Sequence, residues 1–301
     1  MEQSNFSFLK SCYFSLLTRL RRYESSEKYI RRQYKKWVGC EPNLENPKKF
    51  TEKLQWYKIN YHDPLMTQLV DKFAVKDFVS QRIGAEYVIP CYGKWDSFDE
   101  IDFSSLPETF VLKTNNDSGS ILICKDKKNF DFANAKRVLE AGLKRNYYWI
   151  NREWAYKDVK SCILAEEYMP SLGNVDSVEY KITCINGEVK VITVCTGIPH
   201  STFDVRHNDN FSRDWVRQPW YVYHKPLGGN IPKPVMMDKM IELSELLAKD
   251  IPQVRIDWYI IDDSIFFGEF TFYTWGGYMR YEPEEWNDIM GEWFTLPSIK
   301  K

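Results

Sequence analysis

The residues with the clearest chemical potential lie near the C-terminus, where two carboxylates are predicted to face each other across a hairpin. The runs Val254–Ile261 and Ile265–Tyr273 alternate apolar and polar residues, which is typical of half-buried strands. A loop centred on Asp263 would place Asp257 opposite Glu269. Directly opposed side chains have Cβ atoms about 4.5–5.5 Å apart, and like charges in such positions are destabilising.

Two arrangements would relieve this repulsion. A divalent cation that prefers oxygen ligands could bind the two carboxylates and bridge them to a phosphate. Alternatively, Arg255, which the same register places opposite Thr271, partly neutralises the acids on a solvent-facing strand surface. The alternation also places Phe267 on the same face as Glu269, and Gly268 on the opposite face.

A lysine at the end of a strand, followed by a small polar loop, is the second feature. The strand Phe110–Lys113 leads into the loop Thr114–Ser120 and then into the strand Ile121–Cys124. Backbone N–H groups of such a loop can cradle phosphate oxygens while the lysine neutralises them. Gly119 is the only glycine of the loop, so it is not a Walker A motif. An ordinary hairpin is the alternative interpretation.

The third feature is the acidic strand Ile163–Tyr168, which contains Glu166 and Glu167 and is followed by Glu179. A strand that opens at its end can present backbone groups to an adenine ring, and a carboxylate can accept hydrogen bonds from ribose hydroxyls. An acidic edge strand without a ligand is the alternative.

Composition limits the class of protein. With 41 Lys and Arg against 42 Asp and Glu, the chain lacks the basic excess of most nucleic-acid-binding domains. Its seven cysteines form no C-x-x-C pair, which favours reduced thiols over disulfides or a zinc site. The apolar run Ser11–Thr18 is too short to span a bilayer, and Lys10 interrupts any signal peptide. We therefore expect a cytoplasmic protein with no nucleic-acid partner.

Residues 1–40 are predicted to be helical, and basic residues outnumber acidic ones between Lys10 and Lys36. Apolar residues recur at steps of three and four from Phe6 to Leu20, which indicates one apolar helix face. The helix either docks on the rest of the protein or lies on the inner face of the membrane, attracted by anionic lipids.

The elements that must position the three features alternate along the rest of the chain. Asn186-Gly187 is the dipeptide typical of a tight hairpin turn, and residues 198–233 are expected to form a long surface or lid segment. The predicted helices are Phe50–Lys58, Leu69–Arg82, Phe132–Arg145 and Met236–Lys249, and the further strands are Tyr87–Pro90, Tyr180–Ile185 and Val189–Val194.

The order of these features resembles the ATP-grasp superfamily, and more closely its TupA-like group, which is associated with teichuronopeptide and surface-polysaccharide synthesis. The resemblance extends from about Tyr34 to Gly291. It implies an α+β ATP-grasp fold in which two lobes grip ATP, with regions 1–68 (helical), 69–162 and 163–301. The motifs that carry it are Asn46–Lys58, Asp71–Lys76, Leu106–Lys113, and Arg255-Ile-Asp257 followed by Gly268–Tyr273.

The resemblance implies a set of residues for an ATP and Mg²⁺ site. Arg255 and Lys113 take the catalytic role of stabilising the transferring phosphate. Thr271 stands where the superfamily often has asparagine, and Thr274–Gly277 replaces an expected proline-glycine turn. The implied ligand-binding residues are Lys72 and Lys113 at the phosphates, Ser118, Gly119 and Ser120 in the covering loop, Glu166, Glu167 and Met169 at adenine, Glu179 at ribose, and Asp257, Glu269 and Thr271 at magnesium.

The activity that the resemblance implies is ATP-dependent ligation of a carboxylate to an amine through an acyl phosphate. The expected partners are a uronic acid of a bacterial surface glycan and an amino acid or other amine. A metal-dependent glycosyltransferase of the same pathway and a non-catalytic glycan-binding scaffold are the alternatives.

The acceptor pocket should contain cations that hold a carboxylate, and aromatic rings of the lid segment are candidates for stacking on a sugar. A general base is not evident from the pattern, and each candidate histidine has an ordinary structural alternative. The candidate cations are Lys181, Lys190, Arg206, Arg213, Arg217 and Arg280, the aromatic residues are Trp215, Trp220, Tyr221 and Tyr223, and the histidines are His200, His207 and His224.

Overall fold

The structure is a computed structural model that describes residues 22–170, 177–197 and 206–299. Residues 1–21 of the helical region predicted over residues 1–40, and His200, lie outside the described residues. In the described ranges, no helix is both long enough and apolar enough to cross a membrane.

Helices and antiparallel sheets make up the described chain, so the predicted α+β class is confirmed. The helices are α1 (Ser26–Val38), α2 (Phe50–Asn60), α3 (Pro64–Val70), α4 (Ala74–Ile83), α5 (Phe132–Leu143), α6 (Tyr147–Asn151), α7 (Met237–Ala248) and α8 (Glu285–Trp293). The strands are β1 (Cys91–Trp95), β2 (Phe110–Thr114), β3 (Ile121–Cys124), β4 (Ile163–Glu167), β5 (Glu179–Ile185), β6 (Glu188–Thr196), β7 (His207–Phe211), β8 (Tyr221–Val222), β9 (Gln253–Ile261), β10 (Ser264–Thr271) and β11 (Tyr281–Glu282).

A four-stranded sheet in the order β1-β4-β2-β3 carries the predicted phosphate-binding lysine and the acidic strand. Phe110, Leu112 and Ala165 are fully buried in one core with Leu139 of α5. Because side chains alternate across a strand, Lys113 lies on the face away from that core. Strand β4 pairs with both β1 and β2, so this sheet includes residues that the predicted division at 162/163 assigns to the second lobe.

A five-stranded sheet in the order β10-β9-β5-β6-β7 carries the predicted metal-binding hairpin. Helix α7 covers its apolar face, where Ile182, Ile256 and Trp258 are fully buried. The indole Nε1 of Trp258 donates a hydrogen bond of 2.8 Å to Ser244 Oγ on that helix. Since the apolar face is covered, the polar residues of β5, β9 and β10 are directed to the other face.

The predicted helix Leu69–Arg82 is wrong in one respect, because it is interrupted at 71–73. The Asp71 carboxylate accepts hydrogen bonds from the backbone N–H groups of Phe73 (2.8 Å) and Ala74 (3.1 Å). Such a local side-chain bond competes with the helical pattern and begins a new helix. Lys72 therefore lies in the break between α3 and α4.

Two other segments differ from expectation. Tyr87–Pro90 is not a regular strand: Val88 forms one isolated bridge to Phe267, and the strand begins only at Cys91. The segment 198–233 contributes β7, which extends the large sheet, and β8, which pairs with β11. The β7 sequence lacks apolar alternation, and side-chain pairing such as Thr193 Oγ1 to Asn210 Oδ1 (2.6 Å) joins it to β6.

The C-terminal hairpin turns at Asp262 and Asp263, whose φ angles are both positive (+48° and +57°). Positive values at both central residues are typical of a two-residue type I′ turn. The turn brings Phe267 opposite Trp258, and Phe267 is buried in the core. The expectation that Phe267 shares a face with Glu269 is therefore wrong.

A β-bulge at Gly268 explains this difference. The register shifts by one residue between Phe267 and Glu269, and Glu269 then lies opposite Asp257. A bulge leaves one residue unpaired, so the alternation changes phase there. A Cβ at Gly268 would lie 2.9 Å from the Tyr259 ring and 3.0 Å from the Asp257 carbonyl oxygen, which explains why the position has no side chain.

Candidate active site

Asp257 of β9 is a buried charged group of the large sheet, with 2% of its surface exposed. Arg255 donates to both carboxylate oxygens, from Nε to Oδ1 (2.6 Å) and from Nη2 to Oδ2 (2.7 Å). Lys181 of β5 donates to Oδ2 at 2.8 Å. Burial alone would raise the pKa of Asp257, but these two cations outweigh burial and hold it below its usual value.

Glu269 of β10 lies on the other side of Arg255. Its Oε1 is 3.6 Å from Arg255 Nη2, and the Glu269 side chain is 43% exposed. Arg255 Nη2 also donates to Thr271 Oγ1 (3.0 Å), and the Thr271 hydroxyl donates to Glu269 Oε1 (3.4 Å). The predicted pairing of Asp257 with Glu269 is confirmed, and Arg255 supplies the positive charge between them.

Glu179 of β5 extends this polar row along the sheet. Its carboxylate accepts hydrogen bonds from Lys181 Nζ (2.6 Å) and from the Tyr259 hydroxyl (3.1 Å). Although burial alone would lower the pKa of Lys181, its two acidic partners, Asp257 above all, raise the pKa. Lys181, predicted for the acceptor pocket, is thus held at the base of the carboxylate pair.

On the small sheet, Glu166 lies between two lysines. Its Oε2 is 2.5 Å from Lys113 Nζ, and its Oε1 is 2.7 Å from Lys76 Nζ. Burial alone would raise the pKa of Glu166, but Lys113 and Lys76 outweigh burial and lower it. The predicted adenine-contacting carboxylate and the predicted phosphate-binding lysine are therefore ion-paired.

Lys72 is hydrogen-bonded to the loop after β2. Its Nζ donates to the Asp117 carbonyl oxygen (2.6 Å), and its backbone N–H donates to the Asn115 carbonyl oxygen (3.2 Å). Burial lowers the pKa of Lys72, and the negative charge of Glu269 and the positive charge of Lys113 both act on it. Lys72 is thus within electrostatic range of one charged group from each sheet.

The loop after β2 is organised by a buried carboxylate. Asp117 is 3% exposed and accepts hydrogen bonds from Thr114 Oγ1, Ser120 Oγ (2.6 Å) and Arg145 Nη1 (2.9 Å). Gly119, with φ of +95°, has open space where a Cβ would be. The loop therefore has a fixed base and, at Gly119, a tip free of packing.

The residues predicted at adenine lie at the end of β4. Glu167 is the last residue of the strand, its N–H donates to the Pro90 carbonyl (3.0 Å), and Met169 follows two residues later. Both side chains are partly exposed. Because neighbouring side chains alternate, Glu167 faces away from the lysines that hold Glu166.

Three residues of this region were missing from the predicted site: Lys76, Asp117 and Arg145. Lys76 had a signal in the sequence, since it follows Lys72 by four residues, the spacing of one helix face. Asp117 was also visible as the acid inside the polar loop. Arg145 lies 28 positions from its partner Asp117, and no local pattern links the two.

The donor set of the large sheet suits magnesium. Mg²⁺ prefers oxygen ligands and is commonly held by one or two carboxylates together with substrate phosphates. Glu269 is partly exposed, whereas both Asp257 oxygens are engaged by Arg255 and Lys181. Nowhere in the described ranges do three or more His, Cys, Asp or Glu side chains form a metal-binding cluster. Glu269 could therefore ligate an ion that phosphate oxygens also hold, whereas Asp257 could do so only by sharing an oxygen with Arg255 or Lys181.

A family model described as "TupA-like ATPgrasp" matches residues 52–295. No curated protein matches the chain.

Solved structures give distant similarities. D-alanine–D-alanine ligase from Helicobacter pylori aligns with a TM-score of 0.43 at 9% identity, over 76% of this chain and 60% of that protein. D-cycloserine synthetase aligns with a TM-score of 0.40 at 14% identity, over 69% of this chain and 64% of that protein. D-alanine–D-alanine ligase from Bacillus anthracis, complexed with ATP, aligns with a TM-score of 0.38 at 12% identity, over 67% of this chain and 53% of that protein. The chain thus spans less than two thirds of each of these proteins.

Proposed function

The chain belongs to the TupA-like ATP-grasp family, and from that membership we propose that it is an ATP-dependent carboxylate–amine ligase. In the proposed reaction, a substrate carboxylate oxygen attacks the γ-phosphorus of ATP, and ADP leaves. An amine then attacks the acyl phosphate carbon, the C–O bond to phosphate breaks, and an amide, a proton and inorganic phosphate are formed. In this proposal, the four-stranded and five-stranded sheets would form the two lobes that grip ATP.

The observation that carries the proposal is the convergence of charged groups from both sheets around Lys72. Glu269 of β10 and Lys113 of β2 both act electrostatically on this half-buried lysine. Phosphoryl transfer depends mostly on positioning and on charge stabilisation. A site that combines lysines from one sheet with an arginine and carboxylates from the other supplies both.

Each side chain has a defined task in this proposal. Lys72 and Lys113 neutralise the triphosphate, and Arg255 stabilises the charge of the transferring phosphoryl group. Asp257 fixes the Arg255 guanidinium through two parallel hydrogen bonds, a geometry that restricts its orientation. When bound, Mg²⁺ would neutralise further phosphate charge, and Glu269 and Asp257 are the residues that would hold it.

We further propose that the carboxylate substrate is a uronic acid of a bacterial surface polysaccharide and that the amine is an amino acid or a related compound. The resemblance to the teichuronopeptide-associated group supports this choice. Contact with an anionic membrane surface stays a prediction, since the predicted apolar helix face from Phe6 to Leu20 lies outside the described residues.

The decisive experiment measures release of ADP and phosphate with ATP–Mg²⁺ and a panel of sugar acids and amines. Release that requires both a carboxylate and an amine supports the ligase. The double variant Asp257→Asn, Glu269→Gln should lose turnover, whereas Asp263→Asn in the exposed turn of the same hairpin should retain it. Turnover in the double variant would contradict the roles of these two carboxylates.

Nucleotide binding separates the ligase from its alternatives. A ligand that binds only the folded state raises its melting temperature. Stabilisation by ATP–Mg²⁺ and not by UDP-sugars is expected for the ligase, and the opposite preference would indicate a glycosyltransferase. A non-catalytic scaffold would show neither shift.

A further inference from the structure

Two aromatic rings meet at the surface next to the phosphate-binding region. Trp275 is 47% exposed and Tyr223 is 37% exposed, and their ring centroids are 4.9 Å apart at an interplanar angle of 63°. Thr274, which precedes the tryptophan, has its Oγ1 3.4 Å from Arg255 Nη1. The aromatic pair is therefore close to the group assigned to the transferring phosphate.

Both residues of the pair have strained backbones. The φ angles of Trp275 and Tyr223 are +51° and +57°, in the left-handed region that bulky residues rarely adopt. Such conformations are unfavourable and persist only where the surroundings enforce them. The chain thus holds two large rings partly in solvent at an energetic cost.

Helix α2 enforces the conformation of the turn that carries Trp275. Gln55 Nε2 donates to the carbonyl oxygens of Gly276 (3.1 Å) and Gly277 (2.7 Å). Lys58 Nζ donates to the same Gly276 oxygen (2.5 Å), and burial lowers the pKa of Lys58 to about 7. These buried donors fix the turn and so position the indole ring.

The other ring is also fixed, because the Tyr223 hydroxyl donates to the Tyr278 carbonyl oxygen (2.8 Å). The two tryptophans predicted to stack on a sugar have internal tasks instead. Trp215 stacks on Phe211 with centroids 4.3 Å apart, and Trp220 is buried against Tyr281. Tyr223 is thus the ring of the lid segment that is paired with Trp275 and exposed.

An arginine follows the pair on the same segment, since Arg280 lies two residues after Tyr278, whose carbonyl oxygen accepts the Tyr223 hydroxyl. Burial raises the pKa of Tyr223, and the positive charge of Arg280 partly offsets this rise. Arg280 Nε donates to the Trp37 carbonyl oxygen (2.5 Å), and the guanidinium is exposed. In the part of the chain that the structure describes, Arg280 forms no ion pair with a carboxylate. By contrast, ion pairs hold Lys181, Lys190, Arg213 and Arg217.

We propose that Trp275, Tyr223 and Arg280 form an acceptor subsite for a pyranose ring that carries a carboxylate, that is, a uronic acid residue of a glycan. The aromatic faces would pack against the C–H faces of the sugar, since partly exposed rings gain from covering apolar surface. The guanidinium would bind the carboxylate through two hydrogen bonds. This inference rests on the proposed ligase function, because it names the residues that hold its acceptor.

Direct binding without nucleotide tests the subsite. Hexagalacturonate and a hyaluronan hexasaccharide would be titrated calorimetrically against the full chain, with uncharged maltohexaose as the neutral probe. Trp275→Ala should weaken uronate binding at least tenfold, and Trp275→Phe should restore most of it. Arg280→Gln should weaken binding of the uronates and leave that of maltohexaose unchanged.

Tyr23→Ala is the matched control, since Tyr23 is an aromatic residue that is 92% exposed and has no part in the proposed subsite. It should bind the uronates as the wild type does. An equal loss in Tyr23→Ala and Trp275→Ala, unchanged binding by Trp275→Ala, or no binding of either uronate by the wild type would overturn the subsite. A melting-temperature shift with ATP–Mg²⁺, measured on the same samples, reports on the ligase separately. If ATP–Mg²⁺ caused no shift in melting temperature while uronate binding was intact, the proposed ligase function would be refuted and the proposed subsite would not.

Discussion

Lys113 of β2 and Glu166 of β4 form a buried ion pair, with 2.5 Å between Nζ and Oε2, and Lys76 binds the second oxygen of the same carboxylate. A lysine expected to bind phosphate is therefore neutralised within its own lobe. Taking charges out of water is costly, and a buried lysine without a counter-charge destabilises the fold. Glu166 thus keeps the lysine cluster stable before a phosphate approaches it.

Replacing Glu166 with glutamine should destabilise the protein and make its stability more dependent on nucleotide. Breaking a buried ion pair by removing one partner costs about 3–5 kcal/mol. Because ATP would supply the missing negative charge, the gain in melting temperature on adding ATP–Mg²⁺ should exceed that of the wild type. Urea unfolding with and without ATP–Mg²⁺ measures both effects.

Glu167→Gln is the control for this change, since it removes a carboxylate from the next position of the same strand, on the other face. It should leave the stability without nucleotide within about 0.5 kcal/mol of the wild type, as is usual for a partly exposed site. Equal destabilisation by the two variants would show that Glu166 does not act through the lysines.

Asp257 should make the fold sensitive to acid. Its pKa in the folded state lies below the unfolded value, which is about 3.9 for aspartate. Such a group contributes stability above the unfolded pKa and loses it as the pH falls through the folded pKa. Asp257→Asn should therefore be less stable at pH 6 and lose less stability between pH 5 and pH 3.

Urea midpoints at unit steps of pH from 3 to 6 test this expectation, with Asp263→Asn as the control because that carboxylate is exposed in the turn. The control should follow the wild-type curve. Parallel curves for Asp257→Asn and the wild type would mean that Arg255 and Lys181 do not depress the pKa of Asp257.

Substitution of Lys72 should affect the affinity for nucleotide more than it affects the folded structure. Hydrogen bonds to charged groups are worth about 1.5–3 kcal/mol, which corresponds to about 10- to 100-fold in affinity. Lys72→Met should weaken ATP–Mg²⁺ binding by that factor, and Lys72→Arg, which keeps the charge, should lose less. Calorimetric titration with ATP–Mg²⁺ measures the change. Wild-type affinity in Lys72→Met would place the phosphates elsewhere.

The pairing of Asp257 with Glu269 could be predicted because the alternation required the two acids to share a face. The hairpin reaches this pairing by a different turn and register than expected, however. The turn is one residue shorter than the loop assumed around Asp263, and the bulge at Gly268 restores the expected register. Two local departures thus cancel at the carboxylates, and the residues between the turn and the bulge, Ile265, Phe266 and Phe267, lie on the faces opposite to those expected.

The charge pairs between strands of the small sheet could not be predicted from the sequence. Glu166 was expected at adenine on strand pattern and resemblance, and its contact with Lys113 depends on the register between β2 and β4, which local periodicity does not encode. The helix break at Asp71 was missed because the apolar repeat continues through it. At that position the Asp71 carboxylate caps the backbone N–H groups of Phe73 and Ala74, and this local hydrogen bonding replaces the continuous helix.

Gly268→Ala should disturb the site by displacing the bulge that brings Glu269 opposite Asp257. The added Cβ would lie 2.9 Å from the Tyr259 ring and 3.0 Å from the Asp257 carbonyl oxygen, closer than ordinary contacts allow. Overpacking of this kind costs about 1–3 kcal/mol, and ligase turnover should fall further than the stability alone would require. Urea unfolding and ADP release at saturating ATP measure the two effects.

Gly119→Ala separates this packing effect from backbone strain. Gly119 has φ of +95°, but a Cβ there meets no atom within 4 Å. The cost of that variant is therefore conformational, about 1 kcal/mol, and nothing near Asp257 has to move. If Gly268→Ala matched Gly119→Ala in stability and kept wild-type turnover, the bulge would not be what holds the two carboxylates together. A larger loss in Gly268→Ala, with Asp257→Asn adding little to it, would show that both substitutions act on the same group.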